Sequence, residues 1–489
     1  MNLRGLVEVN MSMTLSQQER EVDVAGLAAD SRAVEPGYLF AALAGSNTDG
    51  ALYAKEAIEK GAVAVLCSPS AFDELKDESA IIIPDDNPRL KLAQIAARFY
   101  PRQPQSIAAV TGTNGKTSIA SFARQIWSAV GLRAASMGTL GVVWAGGERK
   151  LQHTTPDPIA VHEALDDLSG RGITHLALEA SSHGLSQHRL DGVRIKAAAF
   201  SNLTRDHLDY HESFDAYKYA KFRLFGELLG PGGTAVLNAD SDVFGELEDL
   251  CWGRGQRVFS VGNTGRDICL KSSQRTRRGQ TLSLRYKGQP IKIELPLVGD
   301  FQAANALLAA GLVIACGTPA SDVFSALNLL EGVPGRLEHV LDTRNGASAY
   351  VDYAHTPDAL ASVLKALRPH TDGKLRVVFG CGGDRDKGKR AEMGDIAEKL
   401  ADQVIVTDDN PRSEDPEQIR SEVMHGCATA RNIGDRSAAI AEALKSLEGG
   451  DILVVAGKGH ETGQILKERT IDFDDRLELH NAAVSLRIV

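Results

Sequence analysis

Cysteine pairs, long apolar runs and an excess of basic residues are all missing from this 489-residue chain. Its six cysteines form no Cys-x-x-Cys pair and have no regular spacing, so we expect free thiols in a reducing compartment. The longest apolar run, residues 306–316, is well short of the roughly 18 residues that a membrane span requires. The first residues do not resemble a signal peptide. These absences predict a cytoplasmic protein with no membrane partner.

The charge balance is acidic, with a formal net charge of −10 and a pI near 5.8. Binding to duplex nucleic acid needs a basic surface. The basic cluster of Arg275, Arg277 and Arg278 is short and precedes Gly279, as in a solvated turn, so we exclude nucleic acid as a partner. Hydrophobic residues make up 43% and charged residues 24% of the chain, which is typical of globular proteins. The length predicts about three domains.

Residues 106–118 predict a strand, a glycine loop and the start of a helix. Small or β-branched apolar residues lead into two glycines that flank Thr113-Asn114, and Lys116 and Thr117 follow at once. Loop amides and a helix N-terminus point donors at a phosphate, the lysine adds positive charge, and the threonine hydroxyl can bind Mg²⁺. Val110 stands where the general pattern G-x-x-x-x-G-K-[ST] has its first glycine. We nevertheless predict nucleotide binding rather than an ordinary βα turn, which would leave Lys116 without a purpose.

The chain alternates strand-like and helix-like segments in three blocks, 1–105, 106–335 and 336–489. In the second block, Glu179 and His207 follow apolar runs. Ligands of open parallel sheets bind beyond the carboxyl ends of the strands, so both are candidate Mg²⁺ ligands, although each alone is equally typical of a hydrogen-bonded structural residue. Four runs of the third block end in glycine- and charge-rich loops, which predicts a second ligand-binding edge. We expect a site between the ligand-binding edge of the second block and that of the third block, and we expect this site to close on two substrates.

Seven motifs of the chain occur in the order shown by the Mur ligases. They are Thr-Gly-Thr-Asn-Gly-Lys-Thr, Glu-Ala-Ser-Ser-His-Gly-Leu, Asp-His-Leu-Asp-Tyr-His, Asp-Tyr-Ala-His-Thr-Pro-Asp, Gly-Gly-Asp-Arg-Asp-Lys-Gly-Lys-Arg, Asp-Asn-Pro-Arg and Gly-Lys-Gly-His-Glu. The chain thus resembles the Mur ligase family over nearly its whole length. The resemblance implies an α/β fold with three domains: a smaller UDP-sugar-binding domain (1–105), a central P-loop-type ATPase domain with a parallel-rich sheet (106–335), and a Rossmann-like, amino-acid-binding domain (336–489).

The resemblance also implies a function, that of an ATP-dependent amide ligase in cytoplasmic peptidoglycan precursor synthesis. The expected substrates are ATP, UDP-N-acetylmuramoyl-L-alanyl-D-glutamate and meso-2,6-diaminopimelate, joined through an acyl phosphate. Carboxylate, ATP and acyl phosphate are all anionic, so catalysis would consist largely of charge neutralisation and positioning. We expect a monomer.

Matching positions assign the ATP and metal contacts that the resemblance implies. The ATP contacts are Gly112, Thr113, Asn114, Gly115, Lys116, Thr117, Ser118, Asn305 and Arg336. Two Mg²⁺ ions would be held by Thr117, Glu179, His207 and Lys221, and Lys116, Glu179, His207 and Lys221 would be catalytic. Without the resemblance, Asn305 would be read as a polar helix residue and Arg336 as half of a linker salt bridge.

Lys221 matches a lysine that the resembling enzymes carbamylate. Carbon dioxide would turn a repelled ammonium into a carboxylate, the hard oxygen ligand that Mg²⁺ prefers. Without the resemblance, Lys221 would be read as a lysine on the surface of a helix.

Two further groups of positions match substrate contacts. Those for the UDP-linked substrate are Ala29, Ser31, Ser46, Asn47, Thr48, His153, Thr154, Thr155, Ser181, Gln187 and Arg189. His153 stands where a related enzyme has asparagine, and Ala29 stands where one has leucine. At both positions the backbone groups can still contact the substrate. Those for diaminopimelate are Arg385, Asp409, Asn410, Pro411, Arg412, Gly457 and Glu461.

The choice of amino acid is expected to depend on Arg412. Diaminopimelate differs from lysine by a second carboxylate, which a guanidinium can bind bidentately, while Glu461 can meet the ammonium. Lysine would leave a buried Arg412 unpaired, and unmatched polar groups of this kind can cost roughly 10⁴–10⁵ in discrimination. Lysine-adding relatives lack this arginine in the motif.

Two different functions share part of this pattern. A folylpolyglutamate synthetase has the same central chemistry but does not need Asp-Asn-Pro-Arg. A regulatory P-loop switch would bind a nucleotide and a partner, but it would leave the second ligand-binding edge unused, and the chain has no guanine-reading Asn-Lys-x-Asp. Cys381, in a glycine loop without an assigned base, is interpreted as a small packing residue rather than a nucleophile.

Overall fold

A computed structural model describes residues 1–7, 16–45, 48–76, 78–204, 210–276 and 279–489. Within these ranges the strands form three larger sheets, one after another along the chain, and one two-stranded hairpin. All six cysteines are buried and free, which confirms the prediction of unpaired thiols. No helix in the same ranges combines the length and apolarity needed to cross a membrane.

The first sheet is parallel, and its four strands in the described residues lie in chain order. They are β1 (Gly26–Ala28), β2 (Tyr38–Ala41), β3 (Ala64–Cys67) and β4 (Ile81–Pro84). The helices of this part are α1 (Leu3–Val7), α2 (Gln17–Arg20), α3 (Ala54–Glu59), α4 (Pro69–Leu75) and α5 (Pro88–Phe99). Helix α3 starts only at Ala54, because Asp49 accepts a hydrogen bond from Ala51 N and caps a 3₁₀ turn first.

The second sheet has eleven strands in the described part of the chain, in the order β15-β14-β13-β12-β11-β10-β5-β9-β6-β7-β8. They are β5 (Ser106–Thr111), β6 (Ala134–Gly138), β7 (Gly141–Trp144), β8 (Gly147–Arg149), β9 (His175–Glu179), β10 (Ile195–Phe200), β11 (Thr234–Asn238), β12 (Arg257–Gly262), β13 (Ile268–Thr276), β14 (Gly279–Tyr286) and β15 (Gln289–Leu295). The middle strands pair in parallel, whereas antiparallel hairpins extend both edges. The predicted parallel-rich sheet is thereby confirmed.

Helices cover the faces of this sheet. They are α6 (Lys116–Ala129), α7 (Pro158–Gly170), α8 (Ser182–Ser186), α9 (Phe214–Arg223), α10 (Phe244–Gly253), α11 (Asp300–Ala315) and α12 (Ala320–Ala326). Helix α11 is apolar on nearly all sides and packs against α6, β11 and β12. A helix of this composition is an interior one, which accounts for the apolar run at residues 306–316. Trp127 and Phe122 of α6 complete the same core.

The third sheet has the order β16-β17-β21-β18-β19-β20, and only β16 runs antiparallel to its neighbour in the described residues. Its strands are β16 (Glu338–Asp342), β17 (Ser348–Asp352), β18 (Leu375–Phe379), β19 (Gln403–Val406), β20 (Arg431–Asn432) and β21 (Ile452–Ala456), followed by the hairpin of β22 (Gly463–Ile465) and β23 (Thr470–Asp472). The helices are α13 (Pro357–Leu367), α14 (Lys389–Leu400), α15 (Pro416–Met424), α16 (Arg436–Lys445) and α17 (Asp475–Leu486). Thr356 caps α13, and Pro357 is its first residue.

The connection from the second sheet to the third passes close to the carboxyl end of β17 and to the loop that follows β21. Gly335 and Leu337 both have left-handed backbones, with φ of +66° and +48°. Leu337 N donates to Asp352 Oδ2 at 2.6 Å, and Tyr353 N donates to Gly335 O at 2.9 Å. A Cβ atom on Gly335 would lie 2.2 Å from His460 N. The connection is therefore fixed to the edge where the loops of the third sheet emerge.

We expect Gly335→Ala to destabilise the protein more than Gly346→Ala does. Both glycines have left-handed φ, at +66° and +91°, but a Cβ on Gly346 would meet nothing within 4 Å. Gly346→Ala should cost about 1–2 kcal/mol for the backbone alone, whereas Gly335→Ala should cost roughly 1–3 kcal/mol more for overpacking. Apparent melting temperatures of the two variants measure the difference. Equal melting temperatures would contradict the close approach at His460.

Candidate active site

The predicted phosphate loop connects β5 to α6. Gly112 has φ +145°, and a Cβ there would lie 1.9 Å from Ser201 Oγ. Gly115 has φ +88°, and a Cβ there would lie 2.4 Å from Asn305 Oδ1. Both positions therefore require glycine, and the second glycine brings Asn305 of α11 against the loop. Because α6 begins at Lys116, its free backbone amides face the space enclosed by the loop.

Side chains of the loop are held by hydrogen bonds to their surroundings. Lys116 Nζ donates to Gly112 O at 2.9 Å and to Thr113 O at 2.8 Å, so its charge lies above the loop. Thr113 Oγ1 is 3.1 Å from Tyr217 Oη, and Asn114 N donates to Asn202 Oδ1 at 2.9 Å. Ser118 is buried in the first turn of α6. The predicted ATP contacts of this loop thus lie on one surface.

A buried carboxylate lies beside the loop. Glu179, the last residue of β9, accepts a hydrogen bond from Thr117 Oγ1 at 3.0 Å. It also accepts hydrogen bonds from Thr139 N at 2.8 Å and Thr139 Oγ1 at 3.1 Å. A Cβ at Gly138 would overlap its carboxylate, 2.1 Å from Oε1. Thr117 and Glu179, which the resemblance paired at a metal, are therefore adjacent.

Lys221 is not at the surface, so the interpretation drawn from its helix alone is wrong. The residue is 1% exposed. Lys221 Nζ donates to Gly112 O at 2.7 Å and lies 4.3 Å from the centre of the Tyr217 ring. Helix α9 packs this residue beneath the phosphate loop, which a weakly amphipathic helix pattern could not indicate. His207, the remaining predicted metal ligand, lies outside the described residues.

Most of the residues predicted to hold the UDP-linked substrate form a cluster next to Glu179. Thr155 Oγ1 donates to Glu179 O at 2.8 Å and accepts from Ser181 N at 3.0 Å. Arg189 Nη1 donates to Thr155 O at 2.6 Å. Two further predicted contacts join the same cluster: Thr154 Oγ1 is 3.0 Å from Thr139 Oγ1, and Gln187 Oε1 accepts from Arg189 Nη2 at 2.8 Å.

The predicted contacts from the first sheet lie apart from this cluster. Ser31 is buried and donates to Glu56 Oε2 at 3.3 Å. Ala29 and Thr48 are exposed, whereas Ser46 and Asn47 lie outside the described residues. His153, which precedes Thr154 in the second segment, is also exposed.

Two residues that sequence reasoning missed connect the first sheet to the cluster. Arg89 Nη1 donates to Gln187 Oε1 at 3.4 Å, and Arg89 Nη2 donates to Ala44 O. Asn87 Nδ2 is 3.2 Å from His188 Nε2. Both lie at the start of α5, and no motif signalled either of them.

A cleft of about 980 Å³ lies between the carboxyl end of the third sheet and α8 of the second. Six predicted diaminopimelate contacts line it, namely Arg385, Asp409, Asn410, Arg412, Gly457 and Glu461, whereas Pro411 is buried beside them. His183, Tyr353, His355 and Lys389 also line it. These four were not predicted as contacts, although three of the quoted motifs contain them.

The structure differs from the expected burial of Arg412 but agrees with the interpretation of Cys381. Arg412 is half-buried rather than buried, because it lines the open cleft, where its Nη1 donates to Gly383 O at 2.9 Å. Burial raises the pKa of the Cys381 thiol to about 12, and its Sγ lies 3.7 Å from Met393 Sδ. This supports the interpretation of Cys381 as a packing residue.

Arg336 contacts both sides of the site. Its Nη2 donates to Thr117 Oγ1 at 3.3 Å, and its guanidinium lies 4.6 Å from the centre of the Tyr353 ring. The centre of the His460 ring lies 5.1 Å from that of the Tyr353 ring. Burial, and then the charge of Arg336, lower the pKa of His460 to about 4. The loops of the third sheet and the phosphate loop therefore meet at one arginine.

Comparison with known proteins assigns the chain to a class. Three family models match it: the Mur ligase family catalytic domain at residues 23–100, the Mur ligase middle domain at 110–313, and the Mur ligase glutamate ligase domain at 335–459. The chain belongs to the Mur ligase family, a three-domain α/β family of ATP-dependent ligases in peptidoglycan precursor synthesis.

Several similar relatives carry the name UDP-N-acetylmuramoyl-L-alanyl-D-glutamate--2,6-diaminopimelate ligase. The protein of that name from Brucella melitensis biotype 1 is 51% identical over 96% of this chain and 95% of its own. That from Agrobacterium fabrum is 48% identical over 99% of each chain. A solved structure of a ligase with the same name covers 100% of both chains with 33% identity and a TM-score of 0.71.

The low pKa of His460 predicts a contribution to stability that is lost in acid. Between pH 6.5 and about 4, the unfolded chain binds a proton at this histidine and the folded chain does not, so stability falls as the pH falls through this window. The contribution amounts to roughly 3 kcal/mol. We expect His460→Gln to lose less stability between pH 7 and pH 4.5 than the wild type loses, measured by urea denaturation.

The matched control is His480→Gln, since His480 is exposed on α17. This variant should keep the wild-type pH dependence. If His460→Gln also kept it, His460 would not be held neutral in the folded protein.

Proposed function

We propose that the protein uses ATP to join meso-2,6-diaminopimelate to the D-glutamate of UDP-N-acetylmuramoyl-L-alanyl-D-glutamate, as a cytoplasmic monomer. The observation that carries this proposal is the cleft, where Arg412 and Glu461 line the same space as His183. His183 belongs to α8, which follows directly on the strand that ends in Glu179. The names of the similar ligases support the same substrates.

Each of the three larger sheets belongs to one proposed domain, and the UDP-linked substrate would contact the first two. We propose domain boundaries near residues 105 and 335, because each of the three segments contains one of the larger sheets. The UDP-linked substrate would extend from the side of Ser31 to the cluster around Thr155 and Arg189, and Arg89 joins these two regions. Its glutamate carboxylate would then lie near Glu179 and the phosphate loop.

In the first step, the glutamate carboxylate attacks the γ-phosphorus of ATP, which forms an acyl phosphate and releases ADP. Lys116 and the amides at the start of α6 neutralise the phosphate charge. In the second step, the amine of diaminopimelate attacks the acyl carbon and loses a proton, and phosphate leaves the tetrahedral intermediate. Closing the cleft would bring the amine to the acyl phosphate, and Arg336, which contacts both sides, would respond to that closure.

The residues near Thr117 suit a magnesium ion. Thr117 Oγ1 and the Glu179 carboxylate are hard oxygen donors 3.0 Å apart, and Mg²⁺ in phosphate-transfer sites takes few protein ligands besides phosphates and water. Bound there, Mg²⁺ would neutralise the charge on the transferred phosphate. We propose a second ion beside Lys221 and His207.

Lys221 does not suit a cation as an ammonium, because like charges repel. Its Nζ lies 2.7 Å from Gly112 O, beneath the loop where the phosphates bind. We propose that carbon dioxide converts it to a carbamate, which supplies oxygen ligands at that point.

The first test of the proposal offers diaminopimelate and lysine in parallel. With ATP, Mg²⁺ and the UDP-linked dipeptide, the protein should release phosphate and form amide with diaminopimelate but not with lysine. Arg412→Ala should raise the KM for diaminopimelate tenfold or more while leaving the KM for ATP unchanged, because it removes a bidentate carboxylate contact. Arg431→Ala, which removes an exposed arginine paired with Glu442, is the control and should behave as the wild type.

Release of phosphate without either acceptor would instead favour a nucleotide switch. Unchanged diaminopimelate kinetics in Arg412→Ala would remove this arginine from substrate recognition.

The second test concerns the carbamate. Lys221→Ala should lose nearly all ligase activity, and short carboxylic acids such as acetate should restore part of it by supplying the missing oxygen ligands. Lys218→Ala, on the same helix but paired with Glu246 (3.0 Å), should stay active and should not respond to acetate. Full activity of Lys221→Ala without added acid would refute the role of the carbamate.

A further inference from the structure

Lys458 carries a buried charge that the proposed reaction does not use. Its side chain is 0% exposed, yet the ammonium lies behind the wall of the cleft, in the segment between Gly457 and Glu461. Removing an ammonium from water costs several kcal/mol unless it is paired and hydrogen-bonded. Its two hydrogen-bond partners are Asn410 Oδ1, at 3.0 Å, and Glu461 Oε2, at 3.1 Å. Both partners are predicted contacts of the amino-acid substrate.

The backbone around Lys458 explains why its side chain points inward. Gly457 has φ +115° and Gly459 has φ +57°. A Cβ on Gly457 would lie 2.6 Å from Asp409 Oδ2, and one on Gly459 would lie 2.7 Å from Tyr353 Cβ. Glycines on both sides therefore let this segment press against the neighbouring loops, which leaves the lysine side chain directed into the protein.

Lys458 and the backbone amide of Ile465 together set the orientation of the Asn410 amide. Asn410 Oδ1 faces two donors, Lys458 Nζ and Ile465 N, the second at 2.9 Å. Two donors on one side require the carbonyl oxygen there. The amide nitrogen consequently points the other way and donates to Glu461 Oε2 at 2.8 Å.

The Glu461 side chain is thereby held in place through only one of its two carboxylate oxygens. Oε2 accepts hydrogen bonds from both Lys458 and Asn410, whereas no donor among the described residues approaches Oε1. The side chain is 31% exposed and lines the cleft. One carboxylate oxygen is thus fixed and the other is open to a ligand.

We propose that Lys458 is a positioning residue for the amino-acid substrate. It locks Asn410 and Glu461 so that Glu461 presents Oε1 to an ammonium group of the incoming amino acid, without touching that substrate itself. This inference rests on the proposed function, because it takes diaminopimelate as the ligand of the cleft.

The test is a double-mutant cycle on Lys458 and Glu461, with initial rates measured at varied diaminopimelate and at varied ATP. Lys458→Met keeps the length of the side chain and removes the charge. It should raise the KM for diaminopimelate tenfold or more, with the KM for ATP changed less than twofold. Because Lys458 acts through Glu461, the double variant should have a KM within about twofold of that of Glu461→Gln alone.

Two further variants separate positioning from general stability. Lys458→Gln retains a hydrogen-bond donor for Asn410, so its KM for diaminopimelate should lie between those of the wild type and Lys458→Met. If Lys458→Met does not fold, the KM of Lys458→Gln tests the inference in its place. Lys91→Met removes another buried ammonium, 3% exposed and bonded to Val7 O at 3.1 Å, which does not line the cleft. It should lower the melting temperature without changing the KM for diaminopimelate.

A wild-type KM in Lys458→Met and Lys458→Gln, or KM increases that multiply with that of Glu461→Gln, would overturn the inference. These outcomes differ from failure of the proposed function, in which the wild type itself forms no amide with diaminopimelate.

Discussion

The carboxylate of Glu179, buried beside a loop built to hold phosphate, is the constraint on which the rest of the site depends. A buried carboxylate is costly unless its oxygens accept hydrogen bonds, and here Thr117 and Thr139 supply them from two sides of β9. The missing side chain at Gly138 makes room for it. Its own carbonyl in turn accepts from Thr155, so the substrate cluster and the phosphate loop are fixed by the same residue. The proposed sites of the nucleotide and the acyl acceptor therefore meet at the end of one strand.

Arg336 links the third sheet to the phosphate loop. Arg336 donates to Thr117 and lies over Tyr353, and the backbone around it is fixed to Asp352, whose carboxylate accepts hydrogen bonds from Leu337 N and Ala354 N. Burial raises the pKa of Asp352 to about 6, although the charge of Arg336 and then these two backbone donors partly oppose the increase. The cleft walls come from two different sheets, and Val298 and Phe301, near the start of α11, pack against the core of the third sheet.

The sequence predicted those parts of the site whose geometry is local. The phosphate loop follows from its glycines and from the helix start at Lys116, and the neighbourhood of Glu179 follows from the rule that parallel strand ends share an edge. What it could not predict depends on how distant segments pack. The burial of Lys221 depends on where α9 lies against the loop, and the contact of Arg89 with Gln187 joins residues 98 positions apart. Arg412 was expected to be buried but lines a cleft whose walls come from distant segments, which Asp-Asn-Pro-Arg alone cannot reveal.

The burial of all six thiols simplifies labelling experiments that follow domain movement. Burial raises the pKa of Cys251, Cys316 and Cys381 to about 12, so almost none of their sulfur is thiolate at neutral pH. Because the thiolate is the reactive form, maleimide dyes would react far more slowly with the native cysteines than with cysteines introduced on the surface. A fluorophore pair attached to the first and third sheets could then report interdomain distances in solution on the otherwise unaltered chain.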